Sequence, residues 1–174
     1  MSKLPKRQHA VKSPGGLKHI SQAGAVFTSL IVPVIRLEAY FSRAGEAIAS
    51  AGGQTLARWL VLEAVADAPA TVAQIARGLG YTRQSVQRVA DLLERDGLTK
   101  YDHNPAHERS QLVRITPIGR KTVSAIQRAQ RAWADRVGSE IGEAELRQAS
   151  SVVDHLTGIL KAQEPESIRL PSTP

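Results

Sequence analysis

Apolar residues recur along this chain at two periods, and the switches between them mark the elements. Phe27, Leu30, Ile31, Val34, Leu37, Phe41 and Ile48 fall three to four apart, the repeat of one helix face. The pattern predicts a first helix from about Gln22 to Ser50, ended by Gly52 and Gly53. Pro33 lacks an amide donor and is expected to kink this helix unless the helix starts there. A second helix is expected over about Leu56 to Ala66, with Leu56, Trp59, Leu60, Leu62 and Val65 as its apolar face. Asp67 to Ala70, which contains Pro69, reads as a turn.

Two short helices follow. Thr71-Val72-Ala73-Gln74 is a capping box that opens a helix with Val72, Ile75, Ala76 and Leu79 inward, closed by Gly80. Thr82 is a good N-cap for the next helix, which turns Val86, Val89, Leu92 and Leu93 to one side and stops at Gly97. The period then changes to two. Leu98 to Tyr101 and Leu112 to Ile115 read as strands around a polar, turn-rich stretch with Asn104-Pro105. Thr116-Pro117 is an N-cap with proline at the first helical position, and a long helix is expected to about Ser139. Gly142 starts another, with Leu146, Ala149, Val152, Val153, Leu156, Ile159 and Leu160 apolar.

Short helix, short helix, hairpin: this order predicts a mainly α protein built on a winged helix-turn-helix, with a small β-hairpin wing and long N- and C-terminal dimerisation helices. The expected segments are a disordered basic arm over 1–21, an N-terminal dimerisation helix over 22–53 and a winged helix-turn-helix domain over 54–121. C-terminal dimerisation helices over 122–163 and a flexible tail over 164–174 complete the chain.

Composition agrees with this class. The chain has 174 residues, of which 42% are hydrophobic but only 4% aromatic, so its core is built from aliphatic side chains. There is no cysteine, which excludes disulfides, cysteine-ligated zinc, iron–sulfur clusters and thiol switches, and is compatible with the cytoplasm. The uncharged run over 23–35 behind a basic leader resembles a signal peptide. It is short of the ~20 apolar residues of a membrane helix, it contains Thr28, Ser29 and Pro33, and its periodicity continues into charged sequence. It is therefore expected to be part of an amphipathic helix, with no role at a membrane.

Charge points to a polyanionic partner. The formal net charge is +7. Residues 71–121 hold nine Lys or Arg against five Asp or Glu, and residues 1–20 hold five basic residues and no acid. The basic arm serves either as a solubilising tail or as an extra set of phosphate or minor-groove contacts.

The helix opened by Thr82 is the candidate reading element. Its inner face of Val86, Val89 and Leu93 holds it rigid, while Arg83, Gln84, Ser85, Gln87 and Arg88 face outward. A major groove admits one helix, whose N-terminal residues meet the base edges. Arginine can pair bidentately with guanine and glutamine with adenine. The amide donors near Thr82 favour a phosphate. Arg109, flanked by His103 and His107 at the hairpin tip, suits an adjacent minor groove or the phosphates beside it. The bland alternative is a solvated face, with Arg83 and Arg88 paired to Asp91 or Glu94. A winged helix that docks proteins and binds no DNA is the competing function.

No enzyme motif is present: there is no GxSxG, Walker loop, HExxH or dinucleotide fingerprint. His103 and His107 lie in a loop without helical register and His155 is isolated, so neither a metal nor a cofactor is expected.

At these residues the chain resembles a known family. The segment from Thr82 to Leu98, TRQSVQRVADLLERDGL, is similar to the recognition helix of the MarR (multiple antibiotic resistance regulator) family. Arg109 to Gly119, RSQLVRITPIG, is similar to its wing and the start of the following helix. The resemblance implies a cytoplasmic transcriptional regulator, usually a repressor, which binds a pseudo-palindromic operator in duplex DNA as a homodimer and is released by a small molecule. It also implies that Arg109 touches DNA from the wing. Members commonly carry Asp two residues before that arginine; here the position is His107, and Glu108 is the candidate substitute buttress. Effectors of the family lodge between the dimer helices and the reading head, where Tyr40, Arg43, Arg58 and Trp59 are the candidates. Arginine beside aromatic rings suits a small aromatic or phenolic effector; ordinary core and surface charge is the alternative.

Overall fold

A computed structural model describes residues 20–105 and 110–163. The expected basic arm and tail therefore lie largely outside the described residues, as do His107, Glu108 and Arg109. The chain forms two compact units, Met1–Arg43 and Ala44–Pro174.

The first unit carries most of α1 (Gln22–Ala49), which runs through Pro33 as one continuous helix. Its apolar residues remain exposed: Phe27, Leu30, Ile31, Val34, Leu37 and Phe41 each keep 40% or more of their surface. By length and composition alone the segment Gln22–Gly52 is apolar enough to cross a membrane, because the helix extends well beyond the uncharged run over 23–35.

The second unit begins at Ala44 in the last turns of α1 and continues through α2 (Leu56–Ala64), β1 (Ala70–Thr71), α3 (Val72–Leu79) and α4 (Arg83–Arg95). Strands β2 (Thr99–Asp102) and β3 (Leu112–Ile115) follow, then α5 (Pro117–Ile141) and α6 (Glu143–Gln163). The main core gathers Val61 and Leu62 of α2 with Val65 just after it, Val72, Ile75 and Ala76 of α3, and Val86, Ala90 and Leu93 of α4. Val113 and Ile115 of β3 and Val123 of α5 close it. A second cluster joins Ile48 and Ala49 to Trp59 and Ile126.

Caps decide where these helices begin. The Thr71 capping box is formed, with the Thr71 N–H donating to Gln74 Oε1 at 2.8 Å and the Gln74 N–H to Thr71 Oγ1 at 3.2 Å. Thr116 caps α5, and Pro117 occupies its first turn.

The structure differs from the expected pattern at three places. Ala70 is not part of a turn: with Thr71 it forms β1, antiparallel to β3 through Ala70↔Val113 and Thr71↔Leu112, so the sheet has order β1-β3-β2. Helix α2 ends at Ala64, where the Val65 and Ala66 amides bond back three residues to Leu62 and Glu63 and tighten the last turn. Leu92 is 40% exposed and does not join the α4 inner face, which Ala90 completes instead.

Candidate nucleic-acid interface

Helix α4 is held from both ends and from beneath. At Gly80 the backbone takes φ +69, a conformation that favours glycine, and so ends α3. Thr82 then opens α4: its Oγ1 accepts from the Ser85 N–H at 3.1 Å, while Ser85 Oγ donates to the Thr82 carbonyl at 2.9 Å. The side chains of Thr82 and Ser85 are thus occupied in starting the helix. Beneath, Val86 is 1% exposed and Ala90 and Leu93 are 0% exposed, so α4 has no freedom to roll on the core.

The outward side chains are free of the core. Arg83, Gln84 and Arg88 are exposed. Among the described residues, neither arginine forms an ion pair. Asp91, one of their two expected partners, is held elsewhere. Its Oδ1 accepts from the Tyr101 hydroxyl at 2.7 Å and from Gln87 Nε2 at 2.8 Å. Gln87 Nε2 also donates to the Tyr101 oxygen at 2.7 Å, which closes a three-membered cluster between α4 and the wing strand β2. The Tyr101 hydroxyl, and then the Gln87 amide, hold the Asp91 carboxyl below its ordinary value. Burial, and then the Asp91 carboxylate, push the Tyr101 hydroxyl well above its own. Neither Asp91 nor Tyr101 stands out in the sequence; the one local signal is the four-residue step from Gln87 to Asp91, which puts both on one helix face.

The wing is braced in a second place. Asp102 at the end of β2 accepts from Arg114 Nε on β3 and from Lys100 Nζ at 3.0 Å. These two cations, Arg114 first, hold the Asp102 carboxyl low. Asn104 is 7% exposed at the root of the loop and donates to Ser110 Oγ at 3.3 Å. A cleft of about 550 Å³ runs along this face, lined by Thr71, Arg77, Arg83, Gln87 and Tyr101 among others.

A sequence model described as MarR family matches residues 53–110, which contain this whole helix-turn-helix and β2. An uncharacterised protein of Mycobacterium tuberculosis is 38% identical over 136 residues, 78% of this chain and 95% of the relative. A crystal structure of a MarR family transcription regulator superposes with TM-score 0.69 at 24% identity, covering 83% of this chain and 99% of the other. This chain belongs to the MarR family. Two other solved structures share the winged-helix fold of this MarR chain. BldR from Sulfolobus solfataricus has TM-score 0.65 at 16% identity, covering 82% of this chain and 99% of that one. CouR from Rhodococcus jostii, bound to p-coumaroyl-CoA, has TM-score 0.65 at 18% identity, covering 71% and 87%.

The candidate effector residues of this MarR-family chain fall in two places. In the first unit the Arg43 guanidinium lies 4.6 Å from the centroid of the exposed Tyr40 ring, a cation–π pair. In the second, Arg58 donates from Nε to Gln54 Oε1 at 2.6 Å and from Nη2 to Asp96 Oδ2 at 2.5 Å. Trp59 is 7% exposed in the second core cluster, and its indole N–H donates to Glu63 Oε2 at 3.1 Å. Arg58 and Trp59 thus each have hydrogen-bond partners within the second unit. Among the described residues, no group of three or more His, Asp or Glu could hold a metal ion.

Replacing Tyr101 by phenylalanine tests the cluster. The ring remains and the hydroxyl goes, at an expected cost of about 0.5–1 kcal/mol once solvent screening of the exposed carboxylate is allowed for. Asp91 has a depressed folded-state pKa, so its contribution is complete above about pH 4 and is lost as acid protonates the folded carboxylate. Tyr101 has a raised one, so its contribution is present below about pH 10 and is lost above it. Urea unfolding should therefore show a wider gap between wild type and Tyr101→Phe at pH 7 than at pH 3. A gap independent of pH would remove Asp91 from the account.

Proposed function

We propose that this chain is a cytoplasmic, sequence-specific regulator that binds a pseudo-palindromic operator in duplex DNA as a homodimer, represses transcription and is released by a small-molecule effector. The observation that carries DNA binding is the outward row of Arg83, Gln84 and Arg88 on a helix locked by its buried face. Those side chains are presented rather than consumed within the fold, as a major-groove reader requires. Thr82 and Ser85 supply the helix start, where the amide donors favour a phosphate. Arg109 is the proposed contact from the wing.

Dimerisation is supported by exposed apolar surface on the long described helices. On α6, Val152 and Val153 are each 57% exposed, Ile159 42% and Leu160 52%, in addition to the stripe on α1. Apolar stripes of this kind on two long helices fit burial against a second copy. Sedimentation is expected to give twice the chain mass at micromolar concentration; a monomer there would defeat the pseudo-palindrome as well. Effector release is supported by the family and by the ligand seen in CouR. The Arg43–Tyr40 pair is the proposed place for an aromatic or phenolic anion to dock.

Selection of bound duplexes from a random pool, followed by titration of the winner against salt, tests the central claim. The expected result is one symmetric consensus and an affinity that falls steeply with salt. Salt-insensitive or absent duplex binding would instead favour a protein-docking winged helix.

A further inference from the structure

The cleft of about 550 Å³ has residues of α3, α4 and both wing strands in its walls. Its charge is of one sign. Arg77 in the last turn of α3 and Arg83 at the start of α4 both line it, and both are exposed. Neither forms an ion pair among the described residues, and no Asp or Glu is among the described residues of the lining. Gln74 adds a donor whose direction is fixed. In the capping box its Oε1 accepts from the Thr71 N–H at 2.8 Å and from Thr71 Oγ1 at 3.0 Å. A backbone N–H donates and does not accept, so the edge of the amide that faces Thr71 must be the oxygen. The Nε2 donors are left without a partner among the described residues. Gln87 and Tyr101, joined at 2.7 Å, form a further wall, and their partner Asp91 is not among the lining residues. A cleft that offers guanidinium and amide N–H groups and no carboxylate suits an anion that only accepts.

A duplex brings such an anion to this place. Its major and minor grooves are separated by sugar–phosphate strands. A protein that sets one element into the major groove and its neighbour against the next groove must therefore pass one strand between the two. With α4 as the reading helix and the wing beside it, the space between them is this cleft. We propose that the cleft seats a backbone phosphate of the strand that runs between α4 and the wing, held by Arg77 and Arg83 with Gln74 Nε2 as a third donor. Arg77 and Gln74, both on the supporting helix α3, thereby join the DNA interface. Arg83 positions the duplex, because a phosphate contact carries no base information. Base reading by α4 falls to the side that carries Gln84 and Arg88, neither of which is among the lining residues. This inference rests on the DNA-binding reading above.

The test is binding of the full-length chain and its variants to the selected duplex. Arg77→Ala and Arg83→Ala should each lower affinity about tenfold for every sequence alike and flatten the salt dependence by about 0.9 per half-site. The consensus should stay unchanged in both. Gln74→Glu keeps the capping box, which glutamate closes as glutamine does. It sets a carboxylate oxygen where the amide donors stand, so affinity should fall by about tenfold or more while the thermal midpoint stays near that of the wild type. A Gln74 that serves only as a cap would bind as before. Replacing single phosphodiesters by uncharged methylphosphonates locates the phosphate. At one position in each half-site the replacement should weaken the wild type by about tenfold, and should add little to the loss already caused by either arginine variant. Three results would overturn the seat alone, in a chain that still binds its duplex. They are wild-type affinity and salt dependence in Arg77→Ala, a base preference relaxed by Arg83→Ala, or coupling of the two arginines to different phosphates. A correctly folded wild type that binds no duplex defeats the DNA-binding reading, and the phosphate seat with it.

Discussion

Replacing Arg83 and Arg88 together by alanine is expected to weaken duplex binding by about 30-fold or more. Each arginine in a bidentate or phosphate contact contributes about 1–3 kcal/mol to recognition, and their sum corresponds to about 30-fold to well over 1000-fold. The two single variants separate the kinds of contact. Loss of a phosphate contact lowers affinity for every sequence alike and reduces the steepness of the salt dependence by about 0.9 per contact. Loss of a base contact relaxes selectivity at one base pair. Both side chains are exposed and make no ion pair among the described residues, so thermal stability should change by no more than about 0.5 kcal/mol. Undiminished duplex affinity in a correctly folded double variant would sink the assignment of α4 as the reading helix.

The largest effect on stability is expected at Gly119, in the first turn of α5. A Cβ there would lie 2.1 Å from the Leu98 carbonyl oxygen and 2.8 Å from Ile115 Cγ1. That carbonyl is not free to retreat. It accepts from the Thr116 N–H at 3.0 Å and from Thr116 Oγ1 at 3.1 Å, and Thr116 Oγ1 also donates to the Gly97 carbonyl at 2.7 Å. The same hydroxyl oxygen accepts from the Gly119 N–H at 3.1 Å. The end of α4, the start of β2 and the start of α5 are thus fastened at one point where only a hydrogen fits. Gly119→Ala sets two effects against each other. Helix propensity favours alanine by about 1 kcal/mol, while overpacking against a fixed backbone costs about 3 kcal/mol. The clash wins, and the net loss of about 2 kcal/mol lowers the thermal midpoint by about 4–8 °C. Gly138→Ala in the same helix is the contrast: nothing lies within 4 Å of its added Cβ, so propensity alone should leave the chain unchanged or slightly more stable. A midpoint raised by Gly119→Ala would show that α5 is not pinned to Leu98.

The hydrophobic pattern and the caps were enough to place the helix-turn-helix. Thr71, Thr82 and Thr116 cap their helices within three residues, and the faces of α3 and α4 repeat every three to four residues. Such signals are local, so the sequence carries them whole. The motif from Thr82 to Leu98 likewise resembles the MarR family by its sequence alone.

What the local pattern left open depended on groups far apart in the chain. Two residues are too few to show a strand period, and β1 exists only because β3, more than forty residues on, supplies the partner amides and carbonyls. Arg88 has one acid within helical reach in the sequence, Asp91 three residues on. That carboxylate is drawn toward the wing instead by the hydroxyl of Tyr101, ten residues beyond Asp91. The same contact fixes the Gln87 amide, fourteen residues from Tyr101. Periodicity determined which face of α4 is buried, because burial follows from the spacing of apolar side chains. Tertiary structure alone decided which polar groups on the other face are spent and which are presented, because hydrogen bonds go to whichever donors and acceptors the fold brings within 3 Å.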